Sequence, residues 1–342
     1  MPEISALLTT HNRASLLPRV LEGLERQSLD ASRFEIVAID DGSTDATQWV
    51  LDAWRDRLPL RIVRQNQAGL AAAKNLGVFL ARAPLLVFLD DDDVAEPDLL
   101  VAHLAAHIAS PDQTVAVLGR TTLAPDIAAM PVMRHVTEVG CQLFSYGSMT
   151  SGQVMDHTAF WGGRSSCKRG LLVRNGVFHP DFRFGCEDIE LGYRLARHGL
   201  RVIYEPAAHT VMIRAIGFDQ FCARSYRQGR SQYRFAQMHA DPQVRAYCEI
   251  EPAGEAWAHR RGRYAAHLRW TRQLDRLAAA REQAGLPSHP VLQPVLDAAY
   301  REAFFLSRAK GIADAAALTP VPQAMPRQGA RSMLEYGLAP AC

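Results

Sequence analysis

Four consecutive aspartates, Asp90–Asp93, follow the apolar run Leu85–Leu89. Adjacent carboxylates repel one another, and at the end of a buried strand water relieves that repulsion poorly. The pattern points to a positive partner, most simply a hard divalent cation with oxygen ligands, Mg2+ or Mn2+. Such ions bind through one or two carboxylates and complete their shell with substrate phosphates, so a phosphorylated ligand is expected with them. An acidic surface turn is the bland alternative. A second acidic group, Glu187-Asp188, follows Arg183-Phe184-Gly185-Cys186 and opens a helical pattern. It reads either as favourable charge at a helix N-terminus, worth roughly 0.3–1 kcal/mol, or as a positioned general base. His209 lies just past the strand pattern Leu200–Tyr204. Alone it reads as a structural histidine; beside an acidic metal loop it becomes a candidate third ligand.

The elements that must carry these groups alternate. Residues 3–9, Phe34–Ile39, Leu60–Arg64 and Leu85–Leu89 are short apolar runs that read as buried strands. Between them, Leu16, Leu17, Val20, Leu21 and Leu24 form an amphipathic stripe over residues 15–27, Asp45–Arg57 follows a Ser43 or Thr44 cap, and Leu70–Arg82 is alanine-rich. Strand–helix alternation of this kind predicts an α/β fold with a parallel sheet covered on both faces. Ligands of such sheets bind beyond the carboxyl ends of the strands. The polar clusters Thr9–Arg13, Asp40–Ser43 and Asp90–Asp93 all fall at those ends. Further along, Val115–Leu118 reads as a strand, Thr121–Gly152 as loop or helix, Cys167–Arg174 and Glu187–His198 as helices. From about Gly217 the pattern is mainly helical, with long helices over Arg260–Ala284 and Val291–Arg308 and a loosely held tail, Thr319–Cys342.

Composition narrows the classes. The chain has 342 residues, 48% hydrophobic and 22% charged, enough for a sizeable core and against wholesale disorder. No apolar run approaches the roughly 18–20 residues of a membrane span, and the first residues, MPEISALLTTHNR, lack the charged region and cleavage site of a secretory leader, so none is expected. Six cysteines without CxxC spacing suit a reduced, cytoplasmic protein. A net charge of +2 argues against a dedicated nucleic-acid binder. The charge is uneven: residues 1–200 carry 19 Lys+Arg against 24 Asp+Glu, and residues 201–342 carry 19 against 12. In the basic part, Arg224, Arg227, Arg230 and Arg234 interleave with Tyr226 and Tyr233. That stretch reads as a solvated helix face or as a surface for phosphates or an anionic membrane. Neither GxGxxG nor GxxxxGK[ST] occurs, so dinucleotide and P-loop fingerprints are missing.

Taken in order and spacing, residues 5–13 (SALLTTHNR), 35–45 (EIVAIDDGSTD), 66–77 (NQAGLAAAKNLG), 85–98 (LLVFLDDDDVAEPD) and 183–199 (RFGCEDIELGYRLARHG) resemble the family-2 glycosyltransferases. The resemblance covers about residues 3–213. It implies the GT-A fold, a Rossmann-like, mostly parallel central sheet with helices on both faces. It divides the chain into a nucleotide-sugar-binding half (1–120), an acceptor-binding half (121–215) and a mainly helical C-terminal extension (216–342). The implied reaction is an inverting, metal-dependent transfer of a sugar from a nucleotide diphosphate donor, UDP first among them, to an acceptor hydroxyl. The acceptor class is a glycan, a lipid-linked molecule or a small molecule, as in cell-surface polysaccharide assembly. By resemblance, Asp92 is the direct ligand of Mn2+ or Mg2+ and His209 completes the metal site. Asp90 or Asp91 touches the donor ribose or sugar, Asp41 pairs with the base, Thr9 and Arg13 line the nucleotide, and Lys74 faces it. Glu187-Asp188 resembles the family's acidic pair, with Asp188 the base. Four aspartates in a row leave the register within the loop open, and Cys186 stands where glycine is more usual.

Two rivals are weighed against this. Asp90-x-Asp92-x-Val94 also resembles the first motif of haloacid-dehalogenase-like phosphatases, but that motif opens its domain and here three strands precede it. A non-catalytic sugar-nucleotide or glycan binding module would keep the fold without the reaction. For the C-terminal third, the aromatic residues of Phe218–His239 read as core or as the lining of an acceptor channel. The Arg224–Arg234 stretch is expected either in solvent or in peripheral contact with the inner face of a membrane.

Overall fold

The computed structural model describes residues 1–286 and 289–318, so the tail read as loosely held lies outside the described residues. The chain divides into two compact units. The first holds residues 1–124 and 149–214, the second 125–148 and the helices from Ala215 onward. Residues 125–148, read from sequence with the acceptor half, thus go with the C-terminal helices.

The first unit is built on a nine-stranded mixed sheet. Its strands are β1 (Ile4–Thr10), β2 (Phe34–Asp40), β3 (Leu60–Arg64), β4 (Leu85–Leu89), β5 (Asp93–Ala95), β6 (Val115–Leu123), β7 (Val154–Met155), β8 (Ser165–Lys168) and β9 (Arg201–Met212). They run in the order β3-β2-β1-β4-β8-β6-β9-β5, with β7 paired to β9. The ladders β1/β2, β1/β4, β2/β3 and β6/β9 are parallel. Every residue of β1, β2 and β4 is buried, which is why these strands read as unbroken apolar runs rather than as alternation. Helices α1 (Leu17–Glu25), α2 (Thr47–Ala53), α3 (Leu70–Leu80), α4 (Leu99–Ala109), α7 (Arg169–Asn175) and α8 (Glu187–Ala196) complete the unit. Pro18 lies in the first turn of α1, where its missing N–H costs nothing, and Leu17, Val20, Leu21 and Leu24 bury the helix's apolar face.

Several expectations shift. Neither Ser43 nor Thr44 caps α2: Ala46 precedes it, and Asp45 accepts from the Thr47 N–H at 3.0 Å. Cys167 is not helical. Ser165–Lys168 forms β8 and slots antiparallel between β4 and β6, so Cys167 pairs with both Leu86 and Ala116. Four residues carry too little local signal to announce a strand whose pairing comes from two distant segments. The strand read at Leu200–Tyr204 extends to Met212 because β5 and β6 flank its second half.

The second unit gathers α5 (Pro125–Ala128), α6 (Pro131–Arg134), α9 (Phe218–Met238), α10 (Pro242–Tyr247), α11 (Ile250–Gln283) and α12 (Leu292–Leu318). A β-carbon on Gly229 would meet the Arg308 carbonyl oxygen at 2.0 Å, and one on Gly311 would meet that of Tyr226 at the same distance. Two glycines facing opposite backbones let α9 and α12 approach closely. Phe218, Phe221, Tyr300 and Phe304 pack together there, and Tyr233 and Phe235 are also buried. The aromatic residues of the α9 stretch therefore belong to a core. Among the described residues no helix is long and apolar enough to cross a membrane.

One buried polar cluster sets a pH dependence. Ser166 Oγ lies 2.8 Å from His103 Nδ1 and 2.9 Å from His107 Nε2. A hydroxyl can serve both rings when both are neutral. Burial pushes each imidazole down to about 3 from the ordinary 6.5. Between those values the unfolded chain binds the extra protons, so stability must fall as pH drops from 6.5 toward 3, by up to about 1.4 kcal/mol per pH unit for each ring. Urea unfolding of His107→Gln between pH 6.5 and 4.5 should show a slope shallower than the parent by about one proton. An unchanged slope would remove this account.

Candidate active site

The parallel register brings three polar strand ends side by side. Thr10 of β1 lies opposite Asp40 of β2, and Leu8 opposite Leu89 of β4. The segments Thr9–Arg13, Asp40–Ser43 and Asp90–Asp93 therefore leave neighbouring strands at one sheet edge, as the alternation predicted. Thr9 is buried at that edge.

Two loops are tied to each other there. Asn12 adopts the left-handed conformation, with φ 54°, which asparagine tolerates better than most residues. Its side-chain oxygen accepts from the N–H groups of Thr44 (2.8 Å) and Asp45 (3.3 Å), and its own N–H donates to Ser43 Oγ (2.9 Å). The Arg13 N–H donates to Thr47 Oγ1 at 2.8 Å. Asp41 serves the next loop. Its carboxylate accepts from Gln65 Nε2 (2.7 Å) and from the N–H groups of Ala68 (2.8 Å) and Gly69 (2.9 Å). Three bonds use most of a carboxylate's acceptor capacity, so Asp41 also shapes the approach to α3. The Asn12 clamp escaped the sequence reading; its signal was an asparagine two residues past a strand end.

Each aspartate of the quartet has an arginine. Asp90, 32% exposed, lies 3.8 Å from Arg164. Asp91 takes Arg13 Nε at 3.2 Å, and burial pushes its carboxyl up to about 6 in spite of that partner. Asp92 is buried against Arg214, whose Nε is 2.5 Å from its carboxylate. Asp93 is 1% exposed, 3.3 Å from Arg164, and within reach of Thr121 and Thr210 hydroxyls. Burial holds its carboxyl well above the ordinary range. Asp93 is thus a core residue of β5, and Asp90 is the most open member of the four.

His209 is not brought to Asp92. The Ile213 N–H donates to the Asp92 carbonyl, while the Glu96 N–H donates to the His209 carbonyl. Along β9 these positions are four residues apart, roughly 13 Å at strand rise. His209 Nε2 instead sits 2.8 Å from Thr122 Oγ1. Among the described residues no three His, Cys, Asp or Glu side chains gather as a metal set.

The second acidic group lies beside the first. Gly185 and Cys186 are both left-handed, with φ 71° and 64°, and turn the chain into α8. Lys74 on α3 places Nζ 2.9 Å from Glu187 Oε1, with both side chains only 4% exposed. Lys74 is therefore buried on the acidic pair rather than spread over an open face. Breaking such a pair from one side costs roughly 3–5 kcal/mol. Asn75 braces the same helix by donating to the Phe178 carbonyl (2.7 Å) and accepting from its N–H (3.0 Å). Asp188 accepts from the N–H groups of Gly162 (2.9 Å) and Ile189 (2.8 Å). Burial, then the Glu187 charge, raise its carboxyl above the usual range, and Lys74 pulls it back.

Gly162 and Gly163 join the two groups. A β-carbon on Gly162 would lie 2.7 Å from Lys74 Nζ and 3.1 Å from Asp188 Cβ. One on Gly163 would lie 2.1 Å from Asp90 Oδ2. Asp188 and Asp90 thus flank one stretch of backbone. Arg164, the next residue, holds Asp90 and Asp93. This arrangement can hold a phosphorylated ligand against arginines and offer a carboxylate with an elevated pKa to a hydroxyl nearby.

Residues 5–170 match the sequence model of glycosyl transferase family 2. A validoxylamine A glucosyltransferase from Streptomyces hygroscopicus subsp. jinggangensis is 37% identical over 223 residues, spanning 58% of this chain and 53% of that protein. The counterpart from subsp. limoneus is 36% identical, with 49% of its length covered. The chain thus spans about half the length of these curated relatives. Among solved structures, a mannosyltransferase from Pyrobaculum calidifontis in complex with GDP-Man and Mn2+ superimposes with a TM-score of 0.58 at 21% identity, covering 93% of this chain and 87% of that one. Residues 1–349 of TarS from S. aureus give 0.52 at 16% identity, covering 93% and 92%. At such identities the likeness is one of fold.

Gly163→Ala tests the packing at the quartet. The added methyl must push Asp90 aside, and ligand affinity should fall by about tenfold, or 1.4 kcal/mol, while circular dichroism stays native. Calorimetric titration with a nucleoside diphosphate measures it; unchanged affinity would separate Asp90 from the ligand site.

Proposed function

Because the chain carries a glycosyl transferase family 2 domain, matched over residues 5–170, we propose that the protein moves a sugar from a nucleoside diphosphate sugar to an acceptor hydroxyl with inversion at the anomeric carbon. The observation that carries this reading is the placement of Asp188 and Asp90 on either side of Gly162-Gly163. A base and a donor-side carboxylate then lie against one stretch of backbone. The named relatives and neighbours support it: glucosyl transfer to validoxylamine A in one, GDP-Man in a second, UDP-GlcNAc on TarS in a third. A uridine diphosphate sugar is the first donor to try.

The chain's own groups supply the steps. Asp41, Asn12 and the loops they tie form the seat for the nucleoside. Arg13 and Arg214, each about a third exposed, offer positive charge to the diphosphate. The acceptor oxygen attacks the anomeric carbon as that carbon's bond to the phosphate oxygen breaks; the bonding pair leaves with the diphosphate. Asp188 takes the acceptor proton during the attack. Lys74 keeps Glu187 and Asp188 from repelling each other out of the charged form. A single displacement requires no covalent enzyme intermediate.

A divalent ion is the expected companion of the diphosphate. Asp92 with His209 does not fit one ion, since their strand positions lie far apart. Asp90 fits better: its arginine contact is the longest of the quartet and its carboxylate is the most open. It would hold Mg2+ or Mn2+ together with donor phosphates and water, which is the usual shell of such ions. When bound, the ion supplies Lewis-acid stabilisation of the departing diphosphate.

Asp188→Asn should lower turnover by roughly 10²–10⁴ and leave donor affinity within about threefold, because an amide oxygen can still accept from Gly162. Donor hydrolysis and acceptor glycosylation over a panel of nucleotide sugars with Mn2+ or Mg2+ measure this. Retention of most of the transfer rate would remove Asp188 from the role of base. The acidic limb of kcat/KM should lie above the ordinary aspartate value of 3.8. Activity rises with pH through that limb as Asp188 deprotonates. Lys74→Met removes the cation that favours the carboxylate, so its limb should move to higher pH, whereas Lys74→Arg should restore it.

A further inference from the structure

We propose that the outward face of α11 docks the protein on an anionic lipid bilayer. The inward face of this 34-residue helix is spoken for. Tyr264 meets Ser307 at 3.0 Å, His267 meets the Ala299 carbonyl at 3.0 Å, and Asp275 accepts from the Tyr300 hydroxyl. On the opposite side stand Arg269 and Arg276, with Arg261 and Arg263 on its two flanks, all exposed and none with a salt-bridge partner among the described residues. Trp270 and Leu277, one heptad apart, are 45% and 53% exposed on that same side. From residue 256 to 281 the only acid is Asp275, and it faces α12. Between Arg261 and Leu277 this surface is therefore cationic, with the exposed Glu255 more than a turn before it, and it carries two large apolar side chains in line.

Charge complementarity selects the occupant. A second copy of this helix would set arginine against arginine. A nucleic acid would satisfy the guanidiniums through phosphates but gives Leu277 nothing. A bilayer with anionic headgroups takes both: arginines attract the negative surface, and tryptophan sits at the boundary between headgroups and acyl chains. The contrast with α9 is internal to the chain. There Phe221, Tyr233 and Phe235 are buried, and Tyr226 donates to Asp314 at 2.9 Å. The stretch Arg224–Arg234 thus keeps arginines but lacks an exposed aromatic anchor, and α11 is the better docking face. The proposal does not depend on the transferase reading.

The test is co-sedimentation of the full chain with vesicles of phosphatidylcholine alone or mixed with phosphatidylglycerol. Binding is expected only to the anionic vesicles and should be lost at about 0.5 M salt. Arg269→Glu/Arg276→Glu should weaken it by at least about tenfold, and Trp270→Ser/Leu277→Ser should weaken it without changing the salt dependence. Arg227→Glu/Arg230→Glu on α9 should leave it unchanged. All variants are at exposed positions, and native circular dichroism verifies that they fold. Equal binding by the α11 variants, or no binding by the parent, would overturn the proposal. So would a parent that ignores vesicles but forms a dimer dissolved by Arg269→Glu, or one that instead retains duplex DNA.

Discussion

Mutual repulsion among carboxylates at a buried sheet edge governs this structure. Asp40, Asp41 and Asp90–Asp93 leave the two strands that flank β1, where the surrounding core offers little solvation. Each must be answered locally, and the answers come from different parts of the chain: Arg13 from the end of β1, Arg164 from the residue before β8, Arg214 from beyond β9, and backbone N–H groups for Asp41. The acidic edge is thereby a device for fixing several loops. It also leaves the site rich in guanidiniums, whose planar donors suit phosphate.

The acid pair at α8 obeys the same constraint with a single cation. A lysine inside the fold is costly unless paired, and Lys74 is paired with Glu187 while its charge reaches Asp188 and Asp90. The glycines at 162 and 163 are the spatial condition for this, since any side chain there would displace Lys74 or Asp90. The setting of the Asp188 carboxylate thus rests on α3 and on the backbone before β8, two elements apart from α8 in sequence.

The C-terminal helices follow a different logic. Their cohesion comes from aromatic packing around Tyr300 and Phe304 and from paired glycines that bring α9 and α12 together. That packing consumes most aromatic residues of α9 but leaves Trp270 and Leu277 of α11 in water. Burial therefore decides which of two arginine-rich helices has apolar side chains to offer.

The sequence by itself determined the βα alternation, the fully buried parallel strands, the polar clusters at their ends and the candidate acids, because these depend on local period and on residue type. Periodicity also located α11 and α12, but α11 begins ten residues earlier and α12 ends ten residues later than read, at Ile250 and Leu318. It could not supply β8, a four-residue strand defined by partners 80 and 50 positions away, nor the length of β9. Nor could it say that His209 faces Thr122, that Lys74 belongs to Glu187, or that Arg214 belongs to Asp92. Those pairings are set by strand register and by which charges are buried together. A one-dimensional pattern names the charges, but only the tertiary structure decides which of them share a low-dielectric space and must neutralise one another.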